Sequence, residues 1–123
     1  MSLGAAIPQL FVTDIDRAIR WFGTLGFAEV FRHGDPAFYA QVARDAAWLN
    51  LRHVDAPLLD PAVAAREEYL AASITVEDAE ALAAEFEAAG AALHRPLTRR
   101  SWGAQDFVLR DPDGNLLLFA GPG

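Results

Sequence analysis

Three histidines, His33, His53 and His94, are the side chains here best suited to hold a metal or relay a proton. Their spacing serves neither role. They form no ligand-type pattern with one another, and His53 falls at a strand end on the parity opposite to Asn50. The chain has no cysteine, which removes thiolate ligands, disulfides and cysteine nucleophiles together. Ser73 and Ser101 have no assignable His and acid partners, and no paired-carboxylate motif offers general acid–base work. The formal net charge is −7, and the only basic cluster is Arg95 with Arg99 and Arg100. Nucleic acid, which needs clustered Lys and Arg, is therefore not an expected partner. An acidic surface attracts cationic small molecules, and it also serves plain solubility.

The elements that must position these residues follow from turn and cap signals. A strand is expected over 5–13, with Pro8 marking a first or edge position. Asp14 then caps a helix whose apolar residues Ile15, Ala18, Ile19, Phe22 and Leu25 recur at helical spacing, and Gly26 ends it. Strands are expected over 27–32, 38–43 and 48–53. After a linker over 54–68, with room for about one helical turn, the pattern starts again. A strand over 69–77 leads to an Asp78 cap, a helix with Phe86 on its apolar face, and Gly90. A short strand over 91–96 and a loop over 98–103 follow. The last hairpin turns through Asp111-Pro112-Asp113-Gly114-Asn115, where Pro presets φ and Gly accepts positive φ.

Val12/Val76, Asp14/Asp78, Phe22/Phe86 and Gly26/Gly90 share one offset of 64 residues. The sequence therefore predicts one α+β domain over 1–123, made of two βαβββ modules, about 5–53 and 69–120. The apolar fraction of 53% is enough for a core, and no stretch is long enough to span a membrane. With no secretory leader and no cysteine, a cytoplasmic protein is expected.

Strand parity sorts the side chains into two faces. Leu10, Val12, Leu49, Leu51, Ala72, Ile74, Leu117 and Phe119 form an apolar face for the helices to cover. The opposite face mixes Phe11, Trp48, Leu116 and Leu118 with Gln9, Asn50, Arg52, Ser73 and Thr75. Large apolar groups among a few orienting polar ones suit a binding cavity or a subunit interface better than a bare solvated sheet.

The doubled unit, the Val12-Thr13-Asp14 strand end, the Leu25-Gly26-Phe27 helix end and the closing DPDGN turn together resemble the vicinal oxygen chelate superfamily. That group includes glyoxalase I, extradiol dioxygenases and the bleomycin resistance proteins. Ala5, Pro8 and Leu10 at the start, and Trp102, Gly103, Phe107 and Arg110 before the final turn, are most similar to the bleomycin resistance proteins.

The superfamily's metalloenzymes place ligands at four repeat-related positions, which fall here on Ile7, Asn50, Ala71 and Leu118. Three of these offer no donor, so the resemblance implies no metal, no cofactor and no catalytic residue. What it implies instead is a homodimer that sequesters a bleomycin-like or other cationic, aromatic antibiotic in grooves at the subunit interface. The expected ligand-binding residues are Trp102, matching the family's Trp-Gly loop, with Phe31 and Tyr39; parity adds Trp48, Asn50 and Arg52. Two other readings stay open: an enzyme of the superfamily with a relocated metal or none, and a dimer with no dedicated ligand.

Overall fold

Both repeated helices start on an aspartate that closes the first turn. Asp14 Oδ1 accepts from the Arg17 backbone N–H and Asp78 Oδ1 from that of Ala81, each at 3.0 Å. Both end where a glycine takes positive φ, +84° at Gly26 and +86° at Gly90. The computed structural model describes residues 1–123. The elements in order are β1 (Gln9–Val12), α1 (Ile15–Thr24), β2 (Ala28–Gly34), β3 (Ala37–Arg44), β4 (Ala47–His53), α2 (Pro61–Glu67), β5 (Leu70–Thr75), α3 (Ala79–Ala88), β6 (Leu93–Arg99), β7 (Ala104–Arg110) and β8 (Leu116–Pro122). The strands form two four-stranded sheets, ordered β1-β4-β3-β2 and β5-β8-β7-β6, and in each sheet the first strand runs parallel to the last. This is the α+β architecture of two βαβββ modules. No helix is long and apolar enough to cross a membrane.

The structure departs most from expectation in four places. β1 begins at Gln9 rather than Ala5, since Pro8 has no N–H to donate and contributes only its carbonyl, which accepts from Asn50 N. β6 continues through Pro96 to Arg99, into residues expected to form a loop. It does so as an irregular edge strand with register shifts between Leu93 and Arg95 and between Arg95 and Thr98. The linker carries a full seven-residue helix, capped by Asp60 with Pro61 in its first turn. Leu116, assigned by parity to the open face, is completely buried.

The remaining parity assignments decide the core. Leu10, Val12, Leu49 and Leu51, joined by Ala40 and Val42 of β3, lie buried on the side of α1. Ala72, Phe107, Leu109, Leu117 and Phe119 do the same beside α3. Phe86 meets Phe107 and Phe119 edge-on, with ring centroids 6.0 and 5.2 Å away, while those two rings stack on each other at 5.2 Å. One continuous buried cluster includes residues of both modules.

Each module also grips the other through a hairpin turn. The β7–β8 turn reaches the first module. Asp113 Oδ1 accepts from Thr13 N (3.1 Å), Thr13 Oγ1 (2.5 Å) and Arg17 Nη2 (3.1 Å), and Asn115 Nδ2 donates to the Phe11 carbonyl (3.0 Å). The turn is held in shape by Asp111, whose carboxylate accepts from Asp113 N, Asn115 N and Asn115 Nδ2. Burial pushes the Asp111 carboxyl above its ordinary range, against the opposing pull of those Asn115 bonds. In the other direction, Arg44 at the β3–β4 turn donates to the Leu25 carbonyl (2.8 Å) and to Glu85 of α3 (2.7 Å), and lies over the Phe86 ring.

Candidate functional site

The register of the first sheet lines up two rows of side chains on the face away from α1. Gln9, Asn50, Gln41 and Phe31 are successive cross-strand partners, and Phe11, Arg52, Tyr39 and His33 form the neighbouring row. Rings gather at the β2–β3 side. Phe31 stacks on Tyr39 at 5.8 Å with 21° between planes, and His33 lies 5.1 Å from Phe31. Amides gather at the β1–β4 side, where Gln41 Nε2 donates to Asn50 Oδ1 at 2.8 Å. Arg52 is exposed beside Tyr39, in none of the chain's salt bridges.

Four of the six residues singled out from sequence, Phe31, Tyr39, Asn50 and Arg52, thus share one patch of one sheet face. Trp48 has the parity of Asn50 but lies nearer the β3–β4 turn. There it is 42% exposed and lines a cleft of about 880 Å³ between the modules, with Phe27 and Leu49 on its own side and Ile74, Leu82 and Phe86 opposite. Trp102 belongs to the other module. It sits on the β6–β7 connection, 74% exposed, with the Arg100 guanidinium 5.6 Å from its ring. A single chain therefore does not assemble all six on one surface. Sequence reasoning passed over His33, placed near a loop, and Gln41. The signal for both was available, since they share strand parity with Phe31 and Tyr39 respectively.

The second sheet answers the ring patch with charge. Its open face carries the rows Ser73, Leu118, Val108, Arg95 and Thr75, Ala120, Asp106, Thr98. Asp106 is 5% exposed and accepts from Arg95 Nη1 (2.7 Å) and Arg100 Nε (3.0 Å), and Arg95 Nη2 also reaches Glu68 (3.1 Å). Burial alone would raise the Asp106 carboxyl; the bonds from Arg100 and Arg95 outweigh it and hold the group below its ordinary value. A depressed native value means stability that is complete above the ordinary carboxylate range and is lost as pH falls through the native value. Asp106→Asn is accordingly expected to lower stability at pH 7 by about 2 kcal/mol and to flatten the loss that sets in as pH falls below about 4, measured by urea unfolding at several pH values.

The four positions that could hold a divalent ion do not fit one. Ile7, Ala71 and Leu118 have no donor atom, and Asn50 has its carbonyl oxygen engaged by Gln41. No three His, Asp or Glu side chains gather anywhere in the chain.

The profile of the Glyoxalase/Bleomycin resistance protein/Dioxygenase superfamily matches residues 5–119. The chain belongs to this superfamily. Solved structures similar to this chain include a bleomycin-binding protein complexed with bleomycin, 22% identical, with a TM-score of 0.80 over 98% of this chain and 100% of that one. The bleomycin-binding protein of the bleomycin-producing Streptomyces verticillus, complexed with copper(II)-bleomycin, is 27% identical, with a TM-score of 0.74 over 100% and 98%. The superfamily fold is equally that of the fosfomycin resistance protein FosX of Listeria monocytogenes, 13% identical, with a TM-score of 0.74 over 100% and 96%. At 22% and 13% identity, likeness to the first and third of these structures establishes the fold alone. No curated protein sequence matches the chain.

Proposed function

We propose that this protein binds and sequesters a flat, aromatic antibiotic of the bleomycin type without altering it, as a homodimer in the cytoplasm. The observation that carries the reading is the stacked Phe31–Tyr39 shelf on an open sheet face, flanked by Asn50 and Arg52. Such a shelf removes a planar ring from water while polar neighbours orient it. Support also comes from the donor-free Ile7, Ala71 and Leu118, which leave the superfamily's metal chemistry without ligands. Trp102 stands on the turn that joins β6 and β7 of the second sheet, and a dimer setting the second sheet of one protomer against the first of its partner would bring it to the shelf. A net charge of −7 would draw a cationic drug toward the groove.

Bleomycin at about one hundred times its dissociation constant should stabilise the native protein by about 2.7 kcal/mol, seen as a rise of several degrees in the melting temperature. Phe31→Ala and Trp102→Ala should each weaken binding about tenfold or more, measured by calorimetric titration. Unchanged affinity in Trp102→Ala would remove that residue from the site. Unchanged affinity in both variants, or no thermal shift with the wild type, would remove the reading itself. Stoichiometric Zn²⁺, Fe²⁺ or Mn²⁺ in protein purified without chelator would favour an enzyme instead.

A further inference from the structure

The row Gln9, Asn50, Gln41 and Phe31 places three carboxamides in line with an aromatic ring, one per strand across β1, β4, β3 and β2. Adjacent strands lie about 4.8 Å apart, so the stretch from Asn50 through Gln41 to Phe31 spans about 10 Å, the length of a single ring with an amide substituent. Only one bond is made within it, from Gln41 Nε2 to Asn50 Oδ1. That bond fixes which atoms remain. Asn50 presents its Nδ2 donors, Gln41 presents its Oε1 acceptor, and the exposed Gln9 side chain is uncommitted at the end of the row. A donor and an acceptor side by side match the edge of a neutral amide. Neither is a carboxylate, and the ionised group nearest in the register is Arg52, the cross-strand partner of Tyr39, which repels a cation at this spot.

We propose that Gln41 and Asn50, continued by Gln9, are the specificity-determining groups of this face, and that they read a flat ring bearing a neutral carboxamide or amide-like edge. The inference rests on the ligand-binding reading above and sharpens it. The shelf takes an uncharged, amide-edged part of the ligand, and attraction of a cationic part falls to carboxylates elsewhere on the chain.

Three probes of one shape separate the possibilities: benzamide, benzamidine and benzoate, which put a neutral amide, a cation and an anion on the same ring. They are titrated into ¹⁵N-labelled protein, following the side-chain NH₂ resonances of Asn50 and Gln41. Benzamide should shift both resonances and bind about fivefold tighter than benzamidine, a difference on the scale of one neutral hydrogen bond. Gln41→Leu should reduce that preference to near unity, and Asn50→Asp should reverse it in favour of benzamidine. A role confined to holding the sheet together predicts no reversal. Benzamidine binding as tightly as benzamide, shifts falling outside this face, no binding of benzamide, or a preference unchanged in both variants would each overturn the proposal. Bleomycin titrated in parallel keeps the two readings apart. If bleomycin stabilises the protein while benzamide shows no preference, the carboxamide strip alone is rejected. If neither binds, the ligand-binding function falls with it.

Discussion

Replacing Asp113 with alanine is expected to lower the stability of the chain by about 3 kcal/mol, although the residue lies in a surface turn. One carboxylate oxygen serves three donors of the other module, the backbone and hydroxyl of Thr13 and the guanidinium of Arg17. The Asp113 side chain is only 7% exposed, so water does not easily replace it, and truncation leaves the Thr13 N–H and hydroxyl without their acceptor. Arg17 is more exposed and recovers hydration, which keeps the cost below that of a fully buried pair. Asp113→Asn keeps an acceptor oxygen and loses the charge, so roughly half the effect should remain. Urea unfolding gives both values from the shift of the midpoint. A loss below about 1 kcal/mol in Asp113→Ala would show that the turn does not clamp the modules together.

Phe86→Ala should be the more severe substitution, costing about 4 kcal/mol. The ring is 1% exposed and stands edge-on to both members of the Phe107–Phe119 stack. Truncation removes those contacts and opens a void that the β-sheet behind it cannot close, because Phe107 and Phe119 are fixed by their own ladder pairing. The Arg44 guanidinium on the far side of the ring also loses its platform, which touches the second link between modules. Chemical denaturation followed by circular dichroism measures the loss. Phe31→Ala, on the open face, serves as the contrast, with a smaller change in stability expected from a ring that is only half-buried. A Phe86→Ala variant within about 1 kcal/mol of the wild type would mean that the three-ring cluster is not the anchor of the second module.

How far the sequence discloses the molecule depends on the range of the physics involved. Asp14, Asp78, Gly26 and Gly90 disclose their roles because capping and positive φ are settled within four residues, and the constant offset between them reveals the duplication. Strand alternation likewise separates Leu49 and Leu51 from Asn50 and Arg52 without any knowledge of the fold. Leu116 escapes that logic, because parity says which side a residue faces and not whether something else covers that side. The extension of β6 through Pro96 escapes it too, since proline argues against a strand only where its missing N–H would be needed, and an edge strand does not need it. The candidate site is legible in part for a related reason. Phe31 and Tyr39 advertise themselves as aromatics, whereas Gln41 gains its meaning only when the register sets it beside Asn50. The grip of Asp113 on Thr13 spans 100 residues, and no local pattern announces it.

That grip has a consequence for the duplication itself. The five-residue turn of the second module, 111–115, carries the carboxylate that Thr13 and Arg17 require, while the corresponding turn of the first module is the short Asp45-Ala46 link, preceded by Arg44 for Glu85. Ancestral copies with equal turns could have met as interchangeable halves. The present halves have become a lock and a key of different cut: two first modules in tandem would have no Asp113 to offer Thr13, and two second modules no Arg44 to offer α3. The two halves complement each other through these contacts instead of repeating one another.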